Sequence, residues 1–124
     1  MMPDSVALDA GRPSAKLLDV AHQLVEFWNR EDARAFAALF TASAEYVTVA
    51  GERLAGRYAI SQLVEMQKPV IQIRLAGQPT CSAGQLSFAW VAVEPGKARS
   101  GRTTCTCAHR ESGWLIESLH NDLD

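Results

Sequence analysis

The chain lacks any apolar run near the ~20 residues that a membrane-spanning helix needs, so membrane insertion is not expected. It also lacks an excess of positive charge. Twelve Lys and Arg face fourteen Asp and Glu, for a net charge of −2, and the basic residues are scattered singly. No basic stripe offers itself to nucleic acid. Cysteine is scarce and odd in number: Cys81, Cys105 and Cys107. The opening "MMPDSVALDAGRP" has no charged start followed by an apolar stretch, so no secretory leader is read there. Together these predict reduced thiols and a cytoplasmic setting. Missing too are a glycine-rich phosphate loop and a Ser-His-Asp order, which removes two common catalytic schemes and any nucleotide cofactor.

What remains is ordinary for a folded domain. Apolar residues make up 48% and charged residues 21% of 124 residues, enough for a single core without a metal or disulfide. Residues 1–13, rich in Pro, Gly and Asp, read as a flexible lead-in, and 14–124 as one domain. Ser14 is placed to cap a helix in which Leu17, Ala21, Leu24 and Trp28 share a face, widened by Leu18 and Val25. Asn29 and Arg30 break it. Asp32 caps a shorter helix with Phe36, Leu39 and Phe40 on its apolar edge.

The stretch "AEYVTVAGERLAGRYAI", residues 44–60, alternates, turns at Gly51 and returns briefly. Gly56 then ends the hairpin, and the period becomes helical, with Ile60, Leu63, Val64 and Gln67 on one face until Pro69. The second half contains four runs of strand character, "VIQIRLAGQPTCSAG", "QLSFAWVAVEP", "ARSGRTTCTCAHRE" and "GWLIESLHND", separated at Gly84, Pro95-Gly96 and Ser112-Gly113. Three helices against a strongly bent, mostly antiparallel sheet predict an α+β cone. A curved sheet and a helix cannot touch along their whole length, so a pocket between them is expected. The outer sheet face is expected to be apolar and covered by a second copy, giving a homodimer.

Residues 26–60, "EFWNREDARAFAALFTASAEYVTVAGERLAGRYAI", resemble NTF2-like proteins, in particular the SnoaL-like and SgcJ/EcaC-like branch. The resemblance rests on Trp28, Asn29, Leu39, Phe40, Glu45, Tyr46, Gly51, Gly56, Arg57 and Ile60, and on Gly113, Trp114, Ile116, His120 and Asn121 in the tail. It implies a cone-shaped fold of three N-terminal helices packed on a strongly curved, mixed but mostly antiparallel sheet, with a pocket and commonly a homodimer. It implies little about chemistry, because this fold hosts isomerases, cyclases, dehydratases and proteins without a reaction. The family often carries an aspartate where Ser43 stands here, so an acid-based role at that position is not expected.

Among individual side chains, His120 shares sequence parity with Trp114, Ile116 and Ser118, and so is expected at the cavity as a base. Tyr46 is the candidate hydrogen-bond donor to a ligand carbonyl. Trp28 and Trp90 are candidate walls of a flat apolar pocket, with Ser118 and Arg74 as candidate polar contacts. Glu45, opposite in parity to Tyr46, reads as an edge charge. Cys105, Cys107 and His109 lie on one strand face, but alternate residues stand ~7 Å apart on a flat strand, too far to converge on one ion. No metal and no cofactor are therefore expected. Two functions stay open: a small-molecule-binding domain, and a proton-transfer enzyme of isomerase, cyclase or dehydratase type acting on an apolar or polyketide-like substrate.

Overall fold

The computed structural model describes residues 16–67, 71–111 and 113–124. The N-terminal lead-in, the Ser14 cap, Pro69 and Ser112 lie outside the described residues. Among the described residues three helices precede most of the sheet: α1 (Leu17–Asn29), α2 (Ala33–Ala37) and α3 (Gly56–Glu65). Seven strands follow the order given by the chain: β1 (Phe40–Val47), β2 (Arg53–Ala55), β3 (Gln72–Leu75), β4 (Thr80–Ser82), β5 (Gln85–Glu94), β6 (Lys97–Arg110) and β7 (Gly113–Leu123). In space the sheet runs β2-β1-β7-β6-β5-β3, with β4 beside β3 on the other stretch of β5. Among the described residues only β1 and β7 pair in parallel, so the sheet is mixed and mostly antiparallel.

α1 buries Leu17, Val20, Ala21, Leu24 and Phe27, so its inward stripe is centred one position round from the expected one and Leu18 is left exposed. Asp32 does cap α2, its carboxylate accepting from the Ala35 amide at 3.1 Å. Phe40 does not belong to that helix; it opens β1, fully buried. Gly56 takes φ +89° where β2 hands over to α3, a left-handed conformation that favours glycine. Arg57 then donates from Nε to the Phe40 carbonyl at 2.8 Å, tying the start of α3 to β1. Ile60 and Val64 bring α3 into the core.

The run at 70–84 was expected as one strand and is two. β3 pairs with Val93 to Trp90 and β4 with Ser87 to Gln85, so both lie along the edge of β5 with a break at Gly77 and Pro79. Prolines and glycines interrupt ladder pairing, and an edge strand tolerates the interruption.

Two irregularities bend the sheet. Between Cys107↔Ile116 and Thr106↔Ser118 the long β6–β7 ladder carries one extra residue on β7, Glu117. The β1–β7 pairing shifts between Phe40 and Glu45 at the same level. Bulges raise local twist and change which face later residues occupy. The inward faces are Leu86, Phe88, Trp90 and Ala92 on β5, Thr103, Cys105 and Cys107 on β6, and Ile116 and Leu119 on β7. The opposite face of β6 shows Ser100, Arg102, Thr104 and Thr106, all exposed. The expectation of an apolar outer face is thus corrected: β6, central in the sheet, turns a polar parity outward. No helix among the described residues is long and apolar enough to cross a membrane.

Candidate functional site: an apolar cavity with a polar corner

α1 and the concave sheet face do not close on each other, and a cavity of about 190 Å3 lies between them. Its walls are Leu24, Val25 and Trp28 of α1, Phe36 of α2, and Leu63 of α3, facing Phe88 and Trp90 on the sheet. The two tryptophans spend their single donors on structure. Trp28 Nε1 donates to the Ile71 carbonyl at 2.9 Å, and Trp90 Nε1 to Thr103 Oγ1 at 2.8 Å. What each ring leaves for the cavity is apolar.

Next to Trp28, Asn29 closes the wall. Its amide donates to the Ile73 carbonyl and accepts from the Ile73 amide, both at 2.7 Å. An asparagine side chain here pairs with β3 as a neighbouring strand would. Ile71 and Ile73, both lining residues, are held in place by this pair of adjacent residues at the end of α1.

The polar corner is a chain of hydrogen bonds. Because Trp90 Nε1 can only donate, Thr103 Oγ1 accepts from it and passes its own proton to Asn121 Oδ1 at 2.6 Å. That fixes the Asn121 amide, whose Nδ2 donates to the Val47 carbonyl at 3.1 Å. Asn121 also hydrogen-bonds the Tyr46 phenol and lowers its pKa, but burial dominates and, with a smaller contribution from Cys105, leaves it pushed up to about 12. Tyr46 therefore keeps its proton at neutral pH. The Trp90 and Thr103 donors of this network are committed, and among the described residues no acceptor takes the Tyr46 O–H, which borders the cavity and can serve a bound molecule.

At the rim stands Arg99, on the same inward parity of β6 as Thr103. Its Nη2 lies 3.0 Å from Glu94 Oε2, and the two side chains are 38% and 14% exposed. The pair is close in distance but out of hydrogen-bond alignment, for Glu94 Oε2 and Arg99 Nε are both buried without a hydrogen-bond partner.

The expected site residues separate into two groups. Tyr46, Trp28 and Trp90 line the cavity. His120, Ser118 and Arg74 do not. The Glu117 bulge reverses parity between Ile116 and Leu119, so Leu119 and Asn121 turn inward. His120 turns out, 54% exposed, with Nε2 3.3 Å from Asp122 Oδ1. Ser118 pairs with Glu45 and Thr106 in the sheet. Arg74 and Gln72 occupy the exposed parity of β3, and Ile71 and Ile73 take the cavity. Glu45 is an edge charge, 3.0 Å from Arg53. Thr103, Asn121 and Arg99 were not foreseen. The odd parity of β6, already marked by Cys105 and Cys107, pointed to two of them.

None of the described lining residues is Asp, Glu or His. No group of three or more metal-binding side chains occurs among the described residues. Cys105 and Cys107 are free thiols in the core; burial pushes Cys105 well up and Cys107 to about 12, so neither is a thiolate at neutral pH.

No protein-family model and no curated protein matches the sequence. Solved structures do resemble the fold. A candidate ketosteroid isomerase from Kribbella flavida superposes with a TM-score of 0.75 at 13% identity, over 86% of this chain and 76% of its own. An NTF2-like protein with a cystatin-like fold from Novosphingobium aromaticivorans gives 0.72 at 19% identity, over 86% and 79%. ActVI-ORFA from Streptomyces coelicolor gives 0.72 at 18%, over 87% and 94%. The chain has the NTF2-like fold, the cone expected from its motif order.

Proposed function

We propose that this chain binds a small apolar molecule carrying one hydrogen-bond acceptor, held in the cavity with the acceptor on the Tyr46 O–H. The observation that carries the reading is the polar corner: a network whose geometry fixes Asn121 and leaves the Tyr46 proton uncommitted in an otherwise apolar hollow. The volume supports a ligand of about one ring, since a cavity of ~150 Å3 lined by aliphatic and aromatic groups accepts benzene. The motif order supports a place near the SnoaL-like, SgcJ/EcaC-like proteins. The likeness to a candidate ketosteroid isomerase keeps proton transfer in view as the alternative, of isomerase, cyclase or dehydratase type. The lining supports it less, because a general base must reach the proton it removes and no described lining side chain is a carboxylate or imidazole.

The test is a thermal-shift screen of monocyclic ketones and ethers. A ligand that binds only the native state raises the melting temperature by mass action. Hits are expected to lose most of their shift in Tyr46→Phe. A screen without hits, or hits indifferent to that substitution, would remove the reading.

A homodimer through the outer sheet face, and a reducing cytoplasmic setting, complete the proposal. Half-buried Ala89, Val91 and Ala108 give that face a small apolar content among its threonines and serines, and all three cysteines are free. Light scattering at micromolar concentration decides the first point; a mass near 13.5 kDa would contradict it.

A further inference from the structure

The cavity wall carries a second hydroxyl that the binding reading above does not use. Thr48 follows β1 directly, two residues beyond Tyr46, and both line the cavity. Val47 between them turns to the other face, beside His120. Residues two apart on an extended chain stand ~7 Å from each other on one face. Tyr46 is buried, whereas Thr48 is half-buried. Its neighbour Val49, 38% exposed and also a lining residue, marks the open end. This side of the cavity thus has one hydroxyl residue deep in the hollow and one at the mouth.

The turn after β1 holds Thr48 in place. Its amide donates to the Glu52 carbonyl at 2.9 Å, and its carbonyl accepts from the Gly51 amide at 2.9 Å. The side chain is engaged as well, for Thr48 Oγ1 accepts from the Glu52 amide at 3.1 Å. That bond fixes the oxygen but uses only a lone pair. The hydroxyl proton is still to be given, and among the described residues no acceptor takes it. Thr48 is therefore a donor of set position, as Tyr46 is. A neutral acceptor, an ether or a carbonyl oxygen, serves such a donor and costs less to take from water than a carboxylate does.

We propose that the Thr48 hydroxyl donates to a second, neutral acceptor on the bound molecule, at the mouth of the cavity. The inference rests on the binding reading above and names its ligand class more closely: a single-ring molecule with an acceptor at each end, the inner one on Tyr46 and the outer one on Thr48.

Three ketones separate the two ideas. 4-Phenylbutan-2-one has the ring and the inner acceptor. 4-(4-Methoxyphenyl)butan-2-one adds an ether oxygen at the far end, and 4-(4-ethylphenyl)butan-2-one has the same outline with a methylene in place of that oxygen. Dissociation constants are measured calorimetrically with the full chain. Apolar burial alone favours the ethyl compound through its extra methylene. With the Thr48 bond the methoxy compound is expected to bind at least as tightly. In Thr48→Val, which keeps the shape, the ratio of methoxy to ethyl affinity is expected to fall about fivefold, the worth of one neutral hydrogen bond. In Thr48→Ser, which keeps the hydroxyl, the ratio is expected to hold. The order of the two compounds on the original chain needs no substitution, so a variant that fails to fold does not shelter the proposal. If the ethyl compound binds more tightly, or the ratio is unchanged in Thr48→Val, this inference falls and the binding reading stands. If only the unsubstituted ketone binds, the mouth accepts no group at the far end of the ring, and the inference falls likewise. If no member binds, both fall together.

Discussion

At the scale of single residues, Tyr46 and Gly101 carry consequences that can be measured directly. Burial holds the Tyr46 pKa at about 12 against an ordinary value of 10.0. Below pH ~10 the phenol is protonated in the folded and the unfolded chain, and its titration contributes no pH dependence. Between ~10 and ~12 the unfolded chain releases the proton and the folded chain keeps it. The native state then binds more protons, so stability falls as pH rises through that window, by about 2–3 kcal/mol for two units. Cys107, pushed to about 12 from 9.0, acts with the same sign from a lower starting pH. Urea unfolding of the original chain and Tyr46→Phe, each at pH 9 and pH 12, isolates the phenol. The original chain is expected to lose about 2–3 kcal/mol more than the variant; equal losses would mean the phenol is not buried as described.

Gly101 is needed for a different reason. A Cβ there would stand 2.7 Å from Trp90 Cη2 and closer still to the Asp122 carbonyl oxygen. The indole thus lies against bare backbone, which is what lets Nε1 reach Thr103. Gly101→Ala is expected to cost about 1–3 kcal/mol through overpacking. It is also expected to shift the Trp90 indole N–H resonance by breaking the bond to Thr103. An unmoved resonance would show that the ring has room this packing denies it.

At the scale of elements, the end of α1 works as a clip. Among the described residues β3 has β5 on one side and no strand on the other. Asn29 supplies both a donor and an acceptor to Ile73, and Trp28 a donor to Ile71, so three side-chain bonds stand in for the missing strand. Asn29→Ala is expected to cost about 2–3 kcal/mol for the pair of bonds. The loss should be local, with the Ile73 amide exchanging hydrogen at least tenfold faster while amides in the β5–β6 ladder keep their protection. Uniform loss along the sheet would instead mean that Asn29 supports the whole fold.

Element scale is also where the sequence stopped being readable. The Asp32 cap and the hairpin follow from local chemistry, and the Trp28-Asn29 corner and Gly56 stand where their types direct; the other two described helices begin at Lys16 and Ala55 without a side-chain cap. Parity is local too, provided a strand is regular. β5 is regular, and Trp90 lines the cavity as its alternation implies. β7 is not: one residue, Glu117, inserted opposite an unbroken β6, exchanges the destinations of His120 and Asn121. A bulge is set by pairing with a distant strand, and nothing in "IESLHND" announces it. Arg99 and Thr103 were legible by extending the odd parity of Cys105 and Cys107. The Trp90–Thr103–Asn121 chain was not, because it joins residues whose adjacency exists only in the folded sheet.

At the scale of the whole molecule, the question is whether the cavity is a packing defect or a site. Native interiors are close-packed, and voids larger than a water molecule are few. A defect can be filled with gain and without other consequence; a site is filled at the expense of its ligand. Ala92 separates the two cases. It lies in the cavity wall on β5, 4% exposed, with Trp90 and Glu94 on its own face. Ala92→Ile adds three carbons of a type that suits a strand. At ~0.8 kcal/mol per buried methylene the upper bound is about 2 kcal/mol, with part of it lost to fitting a branched side chain beside the Trp90 ring. Ala92→Ile is therefore expected to raise stability by about 1 kcal/mol, or roughly 3–6 °C in melting temperature for a domain of this size. The same substitution is expected to weaken binding of 4-phenylbutan-2-one at least tenfold, since it occupies the volume the ring requires. A more stable variant that binds the ketone unchanged would place the ligand elsewhere on the fold, and a destabilised variant would mean the space beside Ala92 is already filled.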